Sequence, residues 1–181
     1  MATIAPCDAP PGSLLTRYRD QGAYTDCYRT QLPWRVSHAQ FVEAFYTTGV
    51  FRIERRLLTT FGFRPSTDID ARRLALGEAD AYSAWTVEAR AGNQLLLCDH
   101  AARTRSWLMV EAQGDDGAGP TQLYFGSAVV PVLDARSGRK AMGPVFAALL
   151  GFHKLYSRVL LNAARSRLVR GRHDGESGGR T

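Results

Sequence analysis

The chain is poor in cysteine and nearly free of lysine, and several motifs that would name a reaction are missing. Its three cysteines, Cys7, Cys27 and Cys98, are odd in number and show no CxxC spacing. Neither a disulfide framework nor a zinc site is expected, and the usage suits a reducing compartment. There is no P-loop, no GxGxxG after a strand pattern, no HExxH and no EF-hand loop. A kinase, a nucleotide dehydrogenase and a zinc protease are therefore not expected, nor is any metal or other cofactor. Long hydrophobic runs are also missing. The longest, Val145 to Phe152, is far too short to span a bilayer. The opening MATIAPCDAPPG has no basic stretch and no apolar run, so it does not read as a signal peptide. The expectation is a cytoplasmic protein without a membrane partner.

What the chain does carry is enough apolar material for one domain. It has 181 residues, 45% of them apolar and 22% charged, which suits a soluble globular fold with a real core. The net charge of +6 comes from 23 basic residues, all but Lys140 and Lys154 of them arginine. Such a surplus fits an anionic partner, or simply arginines scattered over solvated faces. The clearest cluster, Arg165, Arg167, Arg170 and Arg172, also suits the negative end of a helix dipole. Nucleic acid is not the expected partner.

The longest periodic stretch is Gly143 to Leu168. Around Phe146, a helical step of about 100° gathers Met142, Leu149, Leu150, His153, Tyr156, Leu160 and Ala164 on one face. Lys154, Arg158, Asn162 and Arg165 fall opposite, and Pro144 suits the first turn. A helix so apolar needs a broad surface to lie on.

The rest of the chain supplies that surface. Residues 1–12 are rich in Ala and Pro and are expected to be loose, as is the Gly-rich basic tail 171–181, leaving a single domain over 13–170. Leu14–Tyr18 reads as an arm or short turn. Tyr24–Leu32 reads as a strand closed by Pro33. Ser37 and Gln40 form an S-x-x-Q capping box, with Val36 placed to staple onto Phe41. The apolar phase changes near Gly49, from Phe41, Val42 and Phe45 to Val50, Ile53, Leu57, Leu58 and Phe61, which predicts two short helices. A further helix is expected over Ile69–Leu76, with Asp68 as cap and Gly77 as stop. From Ser83 the period is two, and the pattern predicts an antiparallel meander. Its strands are Ser83–Ala91, Gln94–Cys98, Thr104–Gln113 and Thr121–Leu133, joined by Gly92-Asn93, Asp99–Arg103 and Gly114–Pro120.

Strand, two short helices, meander and long terminal helix over roughly residues 24–168 is an order that resembles the helix-grip fold of the START-domain and polyketide-cyclase-like superfamily. The run LLLCDHAARTRSWLMV, Leu95 to Val110, also resembles a hairpin of uncharacterised bacterial members. The resemblance implies an α+β fold in which a curved antiparallel sheet wraps around the C-terminal helix. It further implies a cavity between the two that takes small apolar ligands. Four or five strands are clear where that family has six or seven, so either short edge strands hide in Leu14–Tyr18 and Phe63–Tyr82 or the fold is a relative with a trimmed sheet. Catalytic residues vary across the superfamily, so none carries over by motif.

Several residues are candidates for the chemistry. His153, among leucines on the helix face, would point into such a cavity and bind a ligand or act as general base, or else be a satisfied core histidine. Cys98, Asp99 and His100 are adjacent, so they cannot form a triad by themselves, and Asp99 is a normal turn residue. Arg103 and Arg105 fit an anion clamp or an exposed hairpin end. Trp85, Trp107, Tyr124 and Phe125 fit either core or pocket wall. On Thr104–Gln113, Leu108 and Val110 look like core, whereas Arg105, Trp107, Met109 and Glu111 share a mixed face, as a polar-lined cavity or a homodimer contact would. The leading expectation is binding of a small, mostly apolar molecule. Trp85, Trp107, Tyr124, His153 and Tyr156 would be its walls, and Arg105 an anchor for an acidic group. A cyclase, dehydratase or hydrolase using His153 is the second. An interaction protein with an Arg-rich end is the third.

Overall fold

The computed structural model describes residues 3–53, 65–114, 119–133, 140–141 and 144–178, with the backbone alone for 132–133, 140–141, 144–153 and 175–178. A first strand β1 (Ala5–Pro6) is followed by helix α1 (Thr16–Asp20), strand β2 (Tyr24–Leu32) and helix α2 (His38–Tyr46). Helix α3 (Asp68–Leu76) and the short strand β3 (Ala81–Tyr82) lead into β4 (Trp85–Ala91), β5 (Gln94–Asp99), β6 (Thr104–Ala112) and β7 (Thr121–Val129). A small pair, β8 (Val132–Leu133) and β9 (Lys140–Ala141), precedes the terminal helix α4 (Pro144–Gly178). The fold is α+β. Seven strands form one sheet in the order β1-β2-β7-β6-β5-β4-β3, with every neighbouring pair antiparallel.

Local signals account for most boundaries. The Ser37–Gln40 capping box is present with both hydrogen bonds, and Val36 and Phe41 are both buried beside it. α3 is capped by Thr67 rather than Asp68. The Thr67 hydroxyl accepts from the Asp70 N–H, and Asp70 accepts in return from the Thr67 N–H, a second capping box. Gly77 ends that helix in the left-handed region at φ 79°. The expected break after α2 is real but is made by threonines. Thr47 is the C-cap, and the Thr48 hydroxyl accepts from the Phe51 N–H at 3.2 Å, while Gly49 is already helical. The buried residue of that second turn is Phe51. Ile53, expected in the core, is 61% exposed. Leu57, Leu58 and Phe61 lie outside the described residues.

The sheet is completed in two places where the sequence pattern is weak. The N-terminal segment, loose by composition, pairs β1 against β2. Ala81–Tyr82 supplies the edge strand expected somewhere in Phe63–Tyr82, whereas Leu14–Tyr18 leads into α1 instead of forming a strand. Thr121–Leu133 is not one strand: β7 stops at Val129 and pairing resumes at Val132, on either side of Pro131. α4 continues through the expected tail to Gly178. Its buried face in the part with described side chains is Ser157, Leu160, Leu161 and Ala164, which centre on the Phe146 direction, and Leu155, on the opposite side, is 61% exposed.

Both faces of the sheet are covered. On one, Phe45, Tyr46, Phe51, Tyr82, Leu108 and Phe125 pack with Leu160 and Leu161 of α4. Phe45 and Phe125 stand 4.7 Å apart between ring centres, and Tyr46 and Phe51 meet edge-on at 4.8 Å. On the other face, Cys27, Leu96, Trp107, Met109, Tyr124 and Ala128 are sealed by Leu15 and Tyr18 from the N-terminal arm. The mixed face of β6 is therefore neither a cavity nor a subunit contact; it is a second core. A β-bulge between Val87 and Ala89 lets β4 serve both layers, because Val87 packs on the helix side and Ala89 on the arm side. Arg90 then reaches back to the end of α3 and donates to the Leu74 carbonyl at 3.1 Å and the Ala79 carbonyl at 2.8 Å.

Gln94 locks the arm in place. Its Oε1 accepts from the Leu14 N–H at 2.8 Å and from the Trp107 indole N–H at 2.9 Å, and its amide donates to the Gly12 carbonyl at 3.2 Å. Truncation would strand a fully buried indole N–H. Gln94→Ala is expected to cost about 1–3 kcal/mol of stability and to speed amide exchange at Leu14. Urea unfolding and hydrogen exchange of the two proteins check both effects, and equal exchange at Leu14 would refute the locking role.

Candidate functional site

A cavity of about 340 Å³ lies between the helix-side face of the sheet, the end of α2 and the described part of α4. Phe45, Phe51, Phe125 and Trp85 form apolar walls, and α4 contributes Tyr156, Ser157 and Leu160. Asp99, His100 and Thr104 stand at its mouth, on the β5–β6 connection. The cavity exists because small residues interrupt a run of large ones. Along β6 the helix-side positions are Ser106, Leu108 and Val110, and along β7 they are Leu123, Phe125 and Ser127. Strand register sets Ser106 beside Ser127, and Ser127 beside Asp26 of β2. A polar row thus crosses three strands under an aromatic roof.

The row is internally bonded. The Ser127 hydroxyl donates to Asp26 Oδ1 at 2.6 Å, and Ser106 Oγ and the Tyr46 hydroxyl share a hydrogen bond at 3.2 Å. Tyr24, one residue pair further along β2, has its phenol pushed up to about 12, first by burial and then by the negative charge of Asp26. The Tyr28 phenol is also raised by burial, with Arg158 acting against the shift. At the mouth, Asp99 is committed to the turn, its Oδ1 accepting from the Arg103 and Thr104 N–H groups at 2.7 and 2.9 Å. The His100 side chain is exposed. The site therefore offers a partly open, largely apolar hollow with serine hydroxyls among its lining, a make-up that suits a ligand with a hydrophobic body and one polar group. Among the described residues no cluster of three His, Cys, Asp or Glu could hold a metal ion, and no helix is long and apolar enough to cross a membrane.

Of the residues proposed from the sequence, the structure brings Trp85 and Tyr156 to the cavity. His153 lies on α4, and its side chain is outside the described residues. Trp107 and Tyr124 belong to the opposite face. Trp107 is fully buried under Leu15, and the Tyr124 hydroxyl donates to Glu111 at 2.9 Å; burial and that carboxylate raise its pKa. The parity that joins them to Arg105 and Met109 makes them walls of the second core, not of the cavity. Arg105 touches the cavity's rim, but its guanidinium is turned to the arm. There it donates to Glu88 at 2.7 Å, the Tyr18 hydroxyl at 2.8 Å and the Ala102 carbonyl at 2.6 Å. Arg17 and the Tyr18 hydroxyl complete the cluster around Glu88. Arg105 thus lines the cavity while its Nε and Nη1 serve the Glu88 cluster and the β5–β6 turn. Ser106, Ser127 and Ser157 escaped the sequence reading. Their signal was a serine at a core-parity position, next to Leu108, next to Phe125, and one turn before Leu160 and Leu161.

A second hollow, a groove of about 640 Å³, runs between α2 and the far end of α4. Arg35, Arg167, Arg170 and Arg172 line it, with Trp34 and Leu168 at its base and Glu43 and Asp174 among them. The Arg172 guanidinium stacks 4.7 Å from the Trp34 ring centre. No family model, curated protein or solved structure matches the chain.

Because two of the Arg105 hydrogen bonds hold Glu88 and the Tyr18 hydroxyl, Arg105→Ala should lower stability by about 1–3 kcal/mol, by leaving Glu88 short of a partner. Urea titrations of the two proteins check this, and equal midpoints would refute it.

Proposed function

We propose that the protein binds a small, mostly apolar molecule in the 340 Å³ cavity, with the molecule's polar end at the Ser106–Ser127 row. The reading goes with a helix-grip architecture of the START and polyketide-cyclase-like kind, in which sheet and terminal helix enclose a ligand. The observation that carries it is the coincidence of aromatic walls with a hydroxyl floor in one enclosure. Empty apolar space costs stability, and a pocket lined by a few convergent polar groups is the usual form of a ligand site. His153, the base that a cyclase, dehydratase or hydrolase would use, stands on α4 one turn before Ser157. Turnover of a bound compound, lost in His153→Ala while affinity stays, would convert the binding reading into that catalytic one.

A screen of apolar alcohols, ketones and carboxylic acids tests the proposal. A true ligand at a hundredfold excess over Kd should raise Tm by roughly 5–10 °C. Ser157→Phe, which places a ring inside the cavity, should keep the fold and lose at least tenfold in affinity. No thermal shift from any member of the screen, or unchanged affinity in the filled variant, would refute it.

The arginine-lined groove favours a second reading, contact with an acidic partner. Arg35, Arg167 and Arg170 make no ion pair among the described residues, so their charge is open to a partner. A short DNA duplex serves as the polyanion probe. Gel retardation should weaken steeply with salt, and the double variant Arg167→Ala, Arg170→Ala should reduce the log–log salt slope by about 2. Absence of retardation at low salt removes this reading.

A further inference from the structure

The first and second cysteines meet across a strand pair. Ala5 stands opposite Arg29 and Pro6 opposite Tyr28, and the next step in register sets Cys7 opposite Cys27, with the Cys7 N–H donating to the Cys27 carbonyl at 3.0 Å. Both side chains turn to the arm face, and the two Sγ atoms are 3.4 Å apart. Directly opposed residues on antiparallel strands have Cα atoms roughly 4.5–5.5 Å apart, inside the range of about 4.4–6.8 Å that a disulfide spans. The bond therefore needs only a side-chain adjustment. Cys98, on β5, is the remaining thiol.

We propose that Cys7 and Cys27 form a redox-modification site, an oxidisable dithiol that fastens the N-terminal arm to the sheet. The two thiols are unequal. Cys7 is half-buried and Cys27 almost fully buried. When Cys7 ionises, the Cys27 thiol donates to it and holds its pKa below the ordinary value, with Arg29 adding to the effect; Cys27 itself is raised by that same hydrogen bond and by burial. Cys7 is accordingly the nucleophile and Cys27 the resolving thiol. With a peroxide as oxidant, the Cys7 thiolate attacks one peroxide oxygen, the O–O bond breaks, and a sulfenic acid forms with release of water once the leaving oxygen is protonated. Cys27 gives up its proton and attacks the Cys7 sulfur, the S–O bond breaks, and a second water leaves. Two electrons pass from the sulfurs to the peroxide, and one S–S bond replaces two S–H bonds. The covalent tie sits where the arm begins, ahead of the Leu14, Leu15 and Tyr18 contacts that cover the second core.

Hydrogen peroxide on the full chain tests this. After quenching and unfolding, the thiol titre should fall from three to one, the intact mass should drop by about 2 Da, and peptide mapping should join residue 7 to residue 27. Cys98→Ser should lose the same two thiols. Cys27→Ser, which leaves Cys7 without its resolving thiol, should gain oxygen at residue 7 rather than lose hydrogen, and Cys7→Ser should form no link to residue 27. The oxidised wild type should unfold at a higher urea concentration than the same sample after dithiothreitol. A link that includes Cys98, cross-linked dimers, or oxygen addition alone in the wild type would overturn the site. Equal urea midpoints for a correctly linked and a reduced sample would overturn its fastening role.

Discussion

A sheet with apolar residues on both faces cannot stop at one layer of cover. The helix-side face of β6 and β7 takes α2 and α4, but the opposite face carries Leu96, Trp107, Met109 and Tyr124, and water there would cost the fold several residues' worth of burial. A fully buried side chain of leucine size contributes roughly 1.5–3 kcal/mol, so leaving this face open would forfeit a large share of a typical domain's net stability. Among the described residues the cover comes mainly from the stretch before β2. Gly126 shows how closely that segment is pressed. A Cβ there would meet Leu15 Cδ2 at 2.7 Å, the Asp26 carbonyl at 2.8 Å and Trp107 Cε3 at 3.1 Å. The arm, the central strand and the indole share one tight contact that only glycine permits.

The division of labour between the two faces also explains the cavity. The arm side buries Leu15, Trp107 and Tyr124 in one cluster, with polar groups paired through Gln94 and through the Glu88–Arg105–Tyr18 cluster. The helix side is left with a gap, because three serines stand where bulkier residues would have closed it. Close packing and open space are thereby separated: one face closes the core, and the other keeps room open between sheet and helix.

Much of this was legible before any coordinates. Alternation from Ser83 onward marked the meander, and Ser37, Gln40 and Gly77 marked helix ends, because these signals are local and each is spent within a few residues. Tyr24–Leu32 matched β2 residue for residue. What could not be read was anything that depended on a distant partner. β1 is two residues long and has no pattern of its own; it is a strand only because β2 offers an edge. The cover on Trp107 and Tyr124 comes from Leu15 and Tyr18, far away in sequence, so parity correctly grouped them with Arg105 while leaving open what lay over them. Glu88 reads as an ordinary outward residue until the bulge redirects it. Of the candidate site, Trp85 and Tyr156 were found as conspicuous aromatics, and the serines were passed over because a serine on a core face looks like a blemish.

The two outermost strands, Ala5–Pro6 and Ala81–Tyr82, are each just two residues long. A sheet normally risks recruiting further chains along its unpaired margins, since a long free border is a template for more hydrogen-bonded ribbon. Here each outermost strand ends almost as soon as it starts, and one of them contains a proline that has no N–H to offer. A further ribbon aligned on either outermost strand would find only two residues to pair with.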